Sequence, residues 1–313
     1  MIKAFFARHL KSSPALALFC AVLGSAVIGL SPTFVRLSEV GPTATAFHRF
    51  FFAMPCLWAW MVFDHTKSKE YRIPRTGHEF MLIMLAGLLL ALDIMMWHFS
   101  MLKTSIINAM LLNNFAPVFV ALAAWLFYGE KMSLALILGL SLAVFGSVVL
   151  VGQNFSFGSE TVIGDGIALL SAFFYAAYIL VIKRLRGVFS TPTILMWSSF
   201  TSLYVLALGA FLMGEKIMPE TTEGWILVMC LGFFVHIGGQ GLLSYSMGHL
   251  TATLSSIITL IGPLVAAILG WIIFNEHLGI MQITGGIIVI LGIMLSRQTK
   301  LVIRRKKKIQ ELS

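Results

Sequence analysis

Ten runs of about twenty mainly apolar residues follow one another along this chain, the length at which a helix crosses the hydrocarbon core of a bilayer. They lie at roughly 15–35, 43–63, 79–101, 106–127, 133–151, 164–182, 191–212, 225–246, 251–274 and 279–296. Backbone N–H and C=O groups find no water in hydrocarbon, so such a segment must close its own hydrogen bonds as a helix. The connections are short and rich in Gly, Pro and charge, the longest being Asp64–His78. The expected fold is an all-α membrane protein of ten transmembrane helices.

Composition agrees. Of 313 residues, 58% are hydrophobic and 11% charged, against about 25% charged in soluble domains. The net charge of +9 raises the question of a nucleic-acid partner, but the basic residues sit in short loops and at the C-terminus rather than on a soluble domain, so none is expected. With ten spans both ends share one side. Every lysine and arginine except Arg36, Arg49, Lys103 and Lys216 falls on that side, and Arg49 lies within the second span. The positive-inside rule then places the N- and C-termini in the cytoplasm. The tail Arg304–Lys308 either anchors topology or meets anionic lipid head groups. The basic Met1–Lys11 followed by Ala15–Leu30 has some look of a signal peptide, yet the apolar stretch continues toward Val35, and an uncleaved first helix is expected. Cys20, Cys56 and Cys230 each lie inside an apolar run with no metal-ligand spacing, and read as packing residues.

The second half echoes the first. A shift of 146 aligns Pro117 with Pro263, Trp125 with Trp271, Glu130 with Glu276, Gly139 with Gly285 and Gly146 with Gly292. Chance apolar similarity would not hold Pro, Trp, Glu and two Gly in one register. Each repeat contains five spans, and five is odd, so the second repeat enters the membrane from the opposite side. Inverted duplication of this kind is a recurring plan of secondary transporters. The organisation expected is a cytoplasmic segment 1–14, a five-helix repeat 15–151, a second 164–296 around a central cavity, and a basic cytoplasmic tail 297–313.

The stretch LDIMMWHFSMLKTSIINAMLLNNFAPVFVALAAWLFYGEKMS resembles the EamA-type half of the drug/metabolite transporter superfamily, and GQGLLSYSMGHL through LIGPLVAAILGWIIFNEHL resembles its second such domain. The resemblance covers all but the tail. It implies a secondary active transporter for a small organic solute (an amino acid, organic cation, drug or related metabolite) working by alternating access in a bacterial-type inner membrane, with efflux favoured over uptake. It also implies a cavity lined by spans 1–4 and 6–9. Other readings are an uncoupled uniporter or exchanger, or a membrane scaffold or channel that transports nothing by alternating access.

Ionisable residues within spans are costly and point to function. Asp93 is the one acid placed deep in a span. It either binds a cationic solute or loads and releases a proton; the structural alternative is pairing with Arg49, His48 or His98. Trp97 is four residues on and shares its helix face, so acid and ring together suit an ammonium group. Arg49 and His48 lie early in the second span, as substrate or gate residues or as groups snorkelling to water. Asn113 and Asn114 offer amide donors and acceptors or bridge helices. Pro117 and Pro263 loosen their helices and expose carbonyls. His236 and Gln240 share a face, and the shift of 146 takes Asp93 to Gly239, one residue from Gln240. Tyr175 and Tyr178 stand three apart on the sixth span. Glu130 and Glu276 end their helices as gate or loop anchors. Gly139, Ala143 and Ser147, with Gly292 and Ser296, suit close helix packing, either between spans 5 and 10 or in a dimer; monomer and homodimer both remain open. No Walker, GxSxG or HExxH pattern occurs, so no enzyme activity, catalytic residue, metal or cofactor is expected. The expected partners are the solute, membrane lipid and protons.

Overall fold

A computed structural model describes residues 14–67, 73–104, 106–129, 132–151, 162–275 and 279–296. Glu130, Glu276 and the tail lie outside them. Among the described residues every regular element is helical. Eight helices are long and apolar enough to cross a bilayer, and two apolar helices of similar character, Leu134–Leu150 and Ile280–Ser296, are shorter. Phe51, Trp58, Phe63, Leu126, Phe211 and Leu212 are all half or more exposed on the outer surface. Side chains of this kind in such number belong against lipid; the protein is an integral membrane protein.

Several long helices are interrupted. The chain runs α1 (Pro14–Ile28), α2 (Ser31–Leu37), α3 (Pro42–Lys67), α4 (Gly77–Ser100), α5 (Ile106–Asn113), α6 (Ala116–Tyr128) and α7 (Leu134–Val151). It continues with α8 (Val162–Leu185), α9 (Thr191–Leu212), α10 (Thr222–Cys230), a π-helical segment Leu231–Gln240, α11 (Gly241–Met247), α12 (Ala252–Ile258), α13 (Ile261–Phe274) and α14 (Ile280–Ser296). Three breaks share one cause. Pro32, Pro117 and Pro263 each follow a break and have no N–H to return to the carbonyls of Ile28, Asn113 and Thr259. The chain tightens there into bonds three residues apart: Leu30 N to Val27 O, Phe115 N to Leu112 O and Leu260 N to Ile257 O, each 3.1 Å.

The 146-residue register seen in the sequence also governs local geometry. It carries the end of α6 at Tyr128 onto the end of α13 at Phe274, and the start of α7 at Leu134 onto that of α14 at Ile280. The two intervening caps match as well. Gly129 (φ 60°) and Asn275 (φ 53°) are both left-handed, and their amides donate to Ala124 O and Gly270 O. Glycine and asparagine are the residues that adopt this conformation at low cost.

Helices α7 and α14 meet along a seam of small residues. A Cβ at Gly139 would run into Gly292 O and the Ser296 amide, one at Gly146 into the Val289 amide, and one at Gly292 into the Ala143 amide and Gly139 O. Ala143 and Ser147 are buried on the same seam. These residues therefore pack one helix of the chain against another of the same chain.

At one end of the bundle two connections hold each other. Glu39, between α2 and α3, accepts from the Thr221 hydroxyl and from the amides of Glu220 (2.9 Å) and Thr221 (3.1 Å) at the start of α10. Glu215, between α9 and α10, accepts from the Ala44 amide (2.8 Å) in the first turn of α3. Gly41 N donates to Lys216 O at 3.0 Å. Each carboxylate thus caps the helix that the other's connection leads into, where an anion complements the helix dipole. The Thr221 hydroxyl foremost, then the two amides, hold the Glu39 carboxyl below its ordinary range. A lowered folded-state value means that the stabilisation is present above the unfolded carboxylate value and is lost as pH falls through the lowered one. Glu39→Gln is expected to lower the unfolding temperature of the solubilised protein at neutral pH, with the difference from wild type shrinking toward zero in acid. Thermal unfolding followed across pH checks this, and a difference that does not change with pH would rule it out.

Candidate functional site

The three proline breaks converge on a cavity of about 200 Å³. Ile28, Gly29, Ser31 and Pro32 line it from the α1–α2 break; Asn113, Asn114 and Pro117 from the α5–α6 break; Thr259, Leu260 and Pro263 from the α12–α13 break. Gly29 and Gly262 let two of the broken spans cross at backbone contact, because a Cβ on Gly29 would overlap the Gly262 carbonyl and Cα. Irregular backbone at membrane depth is tolerated where it lines a cavity in this way.

Asp93, on α4, is the acid of this cavity and is 8% exposed. Its Oδ1 accepts from the Ser171 hydroxyl at 2.6 Å and the Asn113 amide at 3.2 Å. Asn113 Nδ2 also donates to Ser171 Oγ at 2.7 Å, closing a triangle between α4, α5 and α8. None of Arg49, His48 and His98 bonds Asp93 among the described residues: His48 Nδ1 meets Ala44 O at 2.9 Å, and His98 Nδ1 meets Thr43 Oγ1 at 3.4 Å. Trp97, one turn beyond Asp93, lies on the cavity wall, whereas His98, its neighbour in sequence, points away into protein.

Arg49, on α3, also lines the cavity. At 8% exposed it is buried rather than snorkelled toward water. Among the described residues its Nε has no hydrogen-bond partner, and neither do Trp97 Nε1 and Asn114 Nδ2. Tyr175 and Gln240 complete the polar wall. The Gln240 amide donates to Tyr178 OH at 2.6 Å, and the Tyr178 ring stacks on Tyr175 at 6.1 Å between centroids. Tyr178 therefore stands behind the wall and orients two residues on it.

The structure thus brings Asp93, Trp97, Asn113, Asn114, Tyr175, Gln240, Arg49, Pro117 and Pro263 to one cavity. It does not bring His48, Tyr178 or His236 there. His48 packs edge-on against Phe47 and Trp225. His236 bonds Ser199 Oγ at 2.7 Å and lies against Phe50. Ser171 and Thr259 escaped the sequence reading. Ser171 precedes Tyr175 by four residues and Tyr178 by seven, so one stripe of α8 carries all three, and that spacing is the signal that could have found it. Among the described residues no group of three His, Cys, Asp or Glu could hold a metal.

A helical membrane protein whose interrupted spans meet at a buried polar cavity, with no catalytic constellation on its walls, has the design of a solute transporter. Residues 15–152 and again 162–298 match the EamA-like transporter family, and the chain belongs to that family. It is a transporter and not an enzyme. Among relatives, a pseudopaline exporter, CntI, of Pseudomonas aeruginosa is 26% identical over 219 residues, covering 70% of this chain and 75% of its own length. An uncharacterized transporter of Archaeoglobus fulgidus is 26% identical over 278 residues, covering 84% and 90%. The uncharacterized transporter YxxF of Bacillus subtilis is 26% identical over 245 residues, covering 77% and 78%. A crystal structure with 16% identity superposes with a TM-score of 0.76 over 94% of this chain and 100% of the other, which establishes the likeness of fold.

Proposed function

We propose that this protein is a secondary active transporter that carries a small organic solute across the inner membrane by alternating access, with Asp93 as the charge at its centre. The observation that carries this reading is the placement of a buried acid on a cavity walled by three helix breaks. Broken helices give alternating-access proteins both a solute site and places to bend. Ten spans arranged as two inverted five-helix repeats make up the framework. The family's two matches of nearly equal length and the 146-residue register of breaks and caps support it. With that count the termini are cytoplasmic and the mutually capped connections of Glu39 and Glu215 face outward. Export is the direction favoured, by likeness to the Pseudomonas exporter.

Asp93 also serves as the proton site. Ser171 and Asn113 can hold its carboxylate, and a proton can replace a cation there without leaving an uncompensated buried charge. Protein reconstituted into liposomes is expected to catalyse saturable counterflow of a labelled solute, faster when a pH gradient is imposed. Counterflow indifferent to the gradient would make the protein a uniporter or exchanger. No saturable counterflow with any solute of a broad panel would defeat the transporter mechanism and leave a channel or scaffold.

A further inference from the structure

The 146-residue register gives positions in one repeat their counterparts in the other, and a molecule with both halves in the same setting would bury counterparts alike. Here they differ. Val120 and Ala121 on α6 are buried, and so is every residue of α12 from Ala252 to Ile258. These two helices pack on each other, with Ala121 in one apolar cluster with Leu254, Ile257 and Ile258. The shift of 146 carries Val120 to Ala266 on α13, and Ser256 on α12 back to Met110 on α5. Those counterparts line the cavity instead, and Gly270 alone is buried on α13. Helices α5 and α13 show no packing like that between α6 and α12. The two broken spans thus meet at one end of the bundle and stand apart at the other, with the cavity in the gap. The closed end is remote from Glu39 and Glu215, because the span that starts beside Glu39 at Thr222 ends at Met247, just before α12.

Two cations bind that closed end together. Lys183, in the last turn of α8, donates from Nζ to Met247 O at 2.9 Å and to Leu250 O, and Arg186 donates from Nε to Ser244 O at 3.1 Å. The Ser244 and Met247 carbonyls belong to the last turn of α11, where helix carbonyls lack partners and cations are favoured. Helix α8 packs with α5 and α6, whereas α11 packs with α1, and α1 with α13, so these bonds bridge the two sides of the cleft. At the other end the register puts Leu37 and Val40 in the places of Lys183 and Arg186, and neither is charged. Arg36, one residue before Leu37, lies 3.9 Å over the ring of Phe274 on α13, a helix of its own side of the cleft.

We propose that Lys183 and Arg186 lock one end of the solute path, and that this structure is the setting whose cavity opens toward the Glu39–Glu215 end. This inference rests on the alternating-access reading above and adds the residues that hold one setting. Passage of a solute breaks the lock, parts α6 from α12 and brings α5 onto α13 in the same register. With no cations at the counterpart positions the second setting is held less firmly, so the protein without solute rests with its cavity open toward Glu39 and Glu215.

The test uses the full chain with Cys20, Cys56 and Cys230 replaced by alanine and one cysteine returned at a time, as Ala266→Cys, Val120→Cys or, to mark the Glu39–Glu215 end, Lys216→Cys. A membrane-impermeant maleimide reads exposure, in sealed vesicles for sidedness and in detergent for rates. Ala266→Cys is expected to react from the same side as Lys216→Cys and at least about tenfold faster than Val120→Cys. Adding Lys183→Met removes bonds from a charged donor, and the rate at 120 is expected to rise about tenfold while that at 266 falls. Lys183→Gln, the milder change, moves both rates in the same directions, and Lys183→Arg restores the wild-type pattern. Equal rates at 266 and 120, or reaction at 266 from the side opposite Lys216→Cys, overturns the assigned setting. Rates that both rise with Lys183→Met, or that both stay unchanged, make Lys183 a packing residue and overturn the lock, as does failure of both the Met and Gln variants to fold. Counterflow by the wild-type protein is read separately: if it is saturable, the transporter reading stands whatever the labelling shows, and if it is absent for every solute, that reading itself fails.

Discussion

Asp93→Asn is expected to leave the protein folded and to lower solute transport by a factor of at least about thirty. Asparagine keeps the side-chain oxygen that accepts from Ser171 at 2.6 Å and Asn113 at 3.2 Å, so the triangle between α4, α5 and α8 survives. What is lost is the negative charge. Removing one member of a buried, hydrogen-bonded charge pair costs about 2–5 kcal/mol, and each 1.4 kcal/mol or so is tenfold in affinity. The residual activity is expected to ignore an imposed pH gradient, since no titrating group remains at that position. Counterflow by wild type and variant, with and without the gradient, checks both parts. Wild-type transport by a well-folded Asp93→Asn protein would remove this residue from the mechanism and direct attention to Arg49 and Gln240.

Two adjacent glycines should respond to the same substitution in opposite ways. A Cβ at Gly285 would overlap the Leu150 backbone and come within 2.8 Å of Gly146 O, and backbone cannot step aside. A Cβ at Gly286 meets only Leu side chains, at 3.6 Å and beyond, which is ordinary contact. Overpacking of a tight seam costs about 1–3 kcal/mol, whereas alanine in an open helical site gains up to about 1 kcal/mol over glycine. Gly285→Ala is therefore expected to lower the unfolding temperature by several degrees, and Gly286→Ala to leave it unchanged or raise it. Equal effects would mean that α7 and α14 are not in register as described. The comparison needs no knowledge of the solute.

The frame of this protein was legible because hydrocarbon permits so few solutions. Apolar runs marked the spans, and two prolines marked breaks, since Pro117 and Pro263 each remove a bond that a helix requires; the break at Pro32 came only from the structure. Asp93, Asn113 and Asn114 stood out as polar groups in apolar surroundings. Other parts were hidden for physical reasons. A serine in a helix normally satisfies itself on its own backbone, so Ser171 did not stand out, and only its place on the stripe of Tyr175 and Tyr178 pointed to it. His48 and His236 have the same chemistry in sequence as a functional histidine, but whether a ring meets a solute or a serine depends on the neighbouring helix, which periodicity along one helix does not reveal. Gln240 shows a subtler limit. His236 and Gln240, four apart, were expected to share one face, yet of the two Gln240 alone lines the cavity; the segment Leu231–Gln240 that carries them winds as a π-helix, whose wider turns no longer stack residues four apart. Patterns scored at 3.6 residues per turn carry no trace of that.

The reciprocal hold of Glu39 and Glu215 has a consequence for how this end of the molecule moves. Were each connection fixed to a static scaffold, one could peel away while the other stayed, and a series of half-open forms would exist. Here each is the other's anchor: withdrawing Glu39 strips the start of α10, and displacing the connection that carries Glu215 strips the start of α3. Both holds tie the same two connections together, so separating these connections breaks both at once, and release of this end is expected to be cooperative rather than graded.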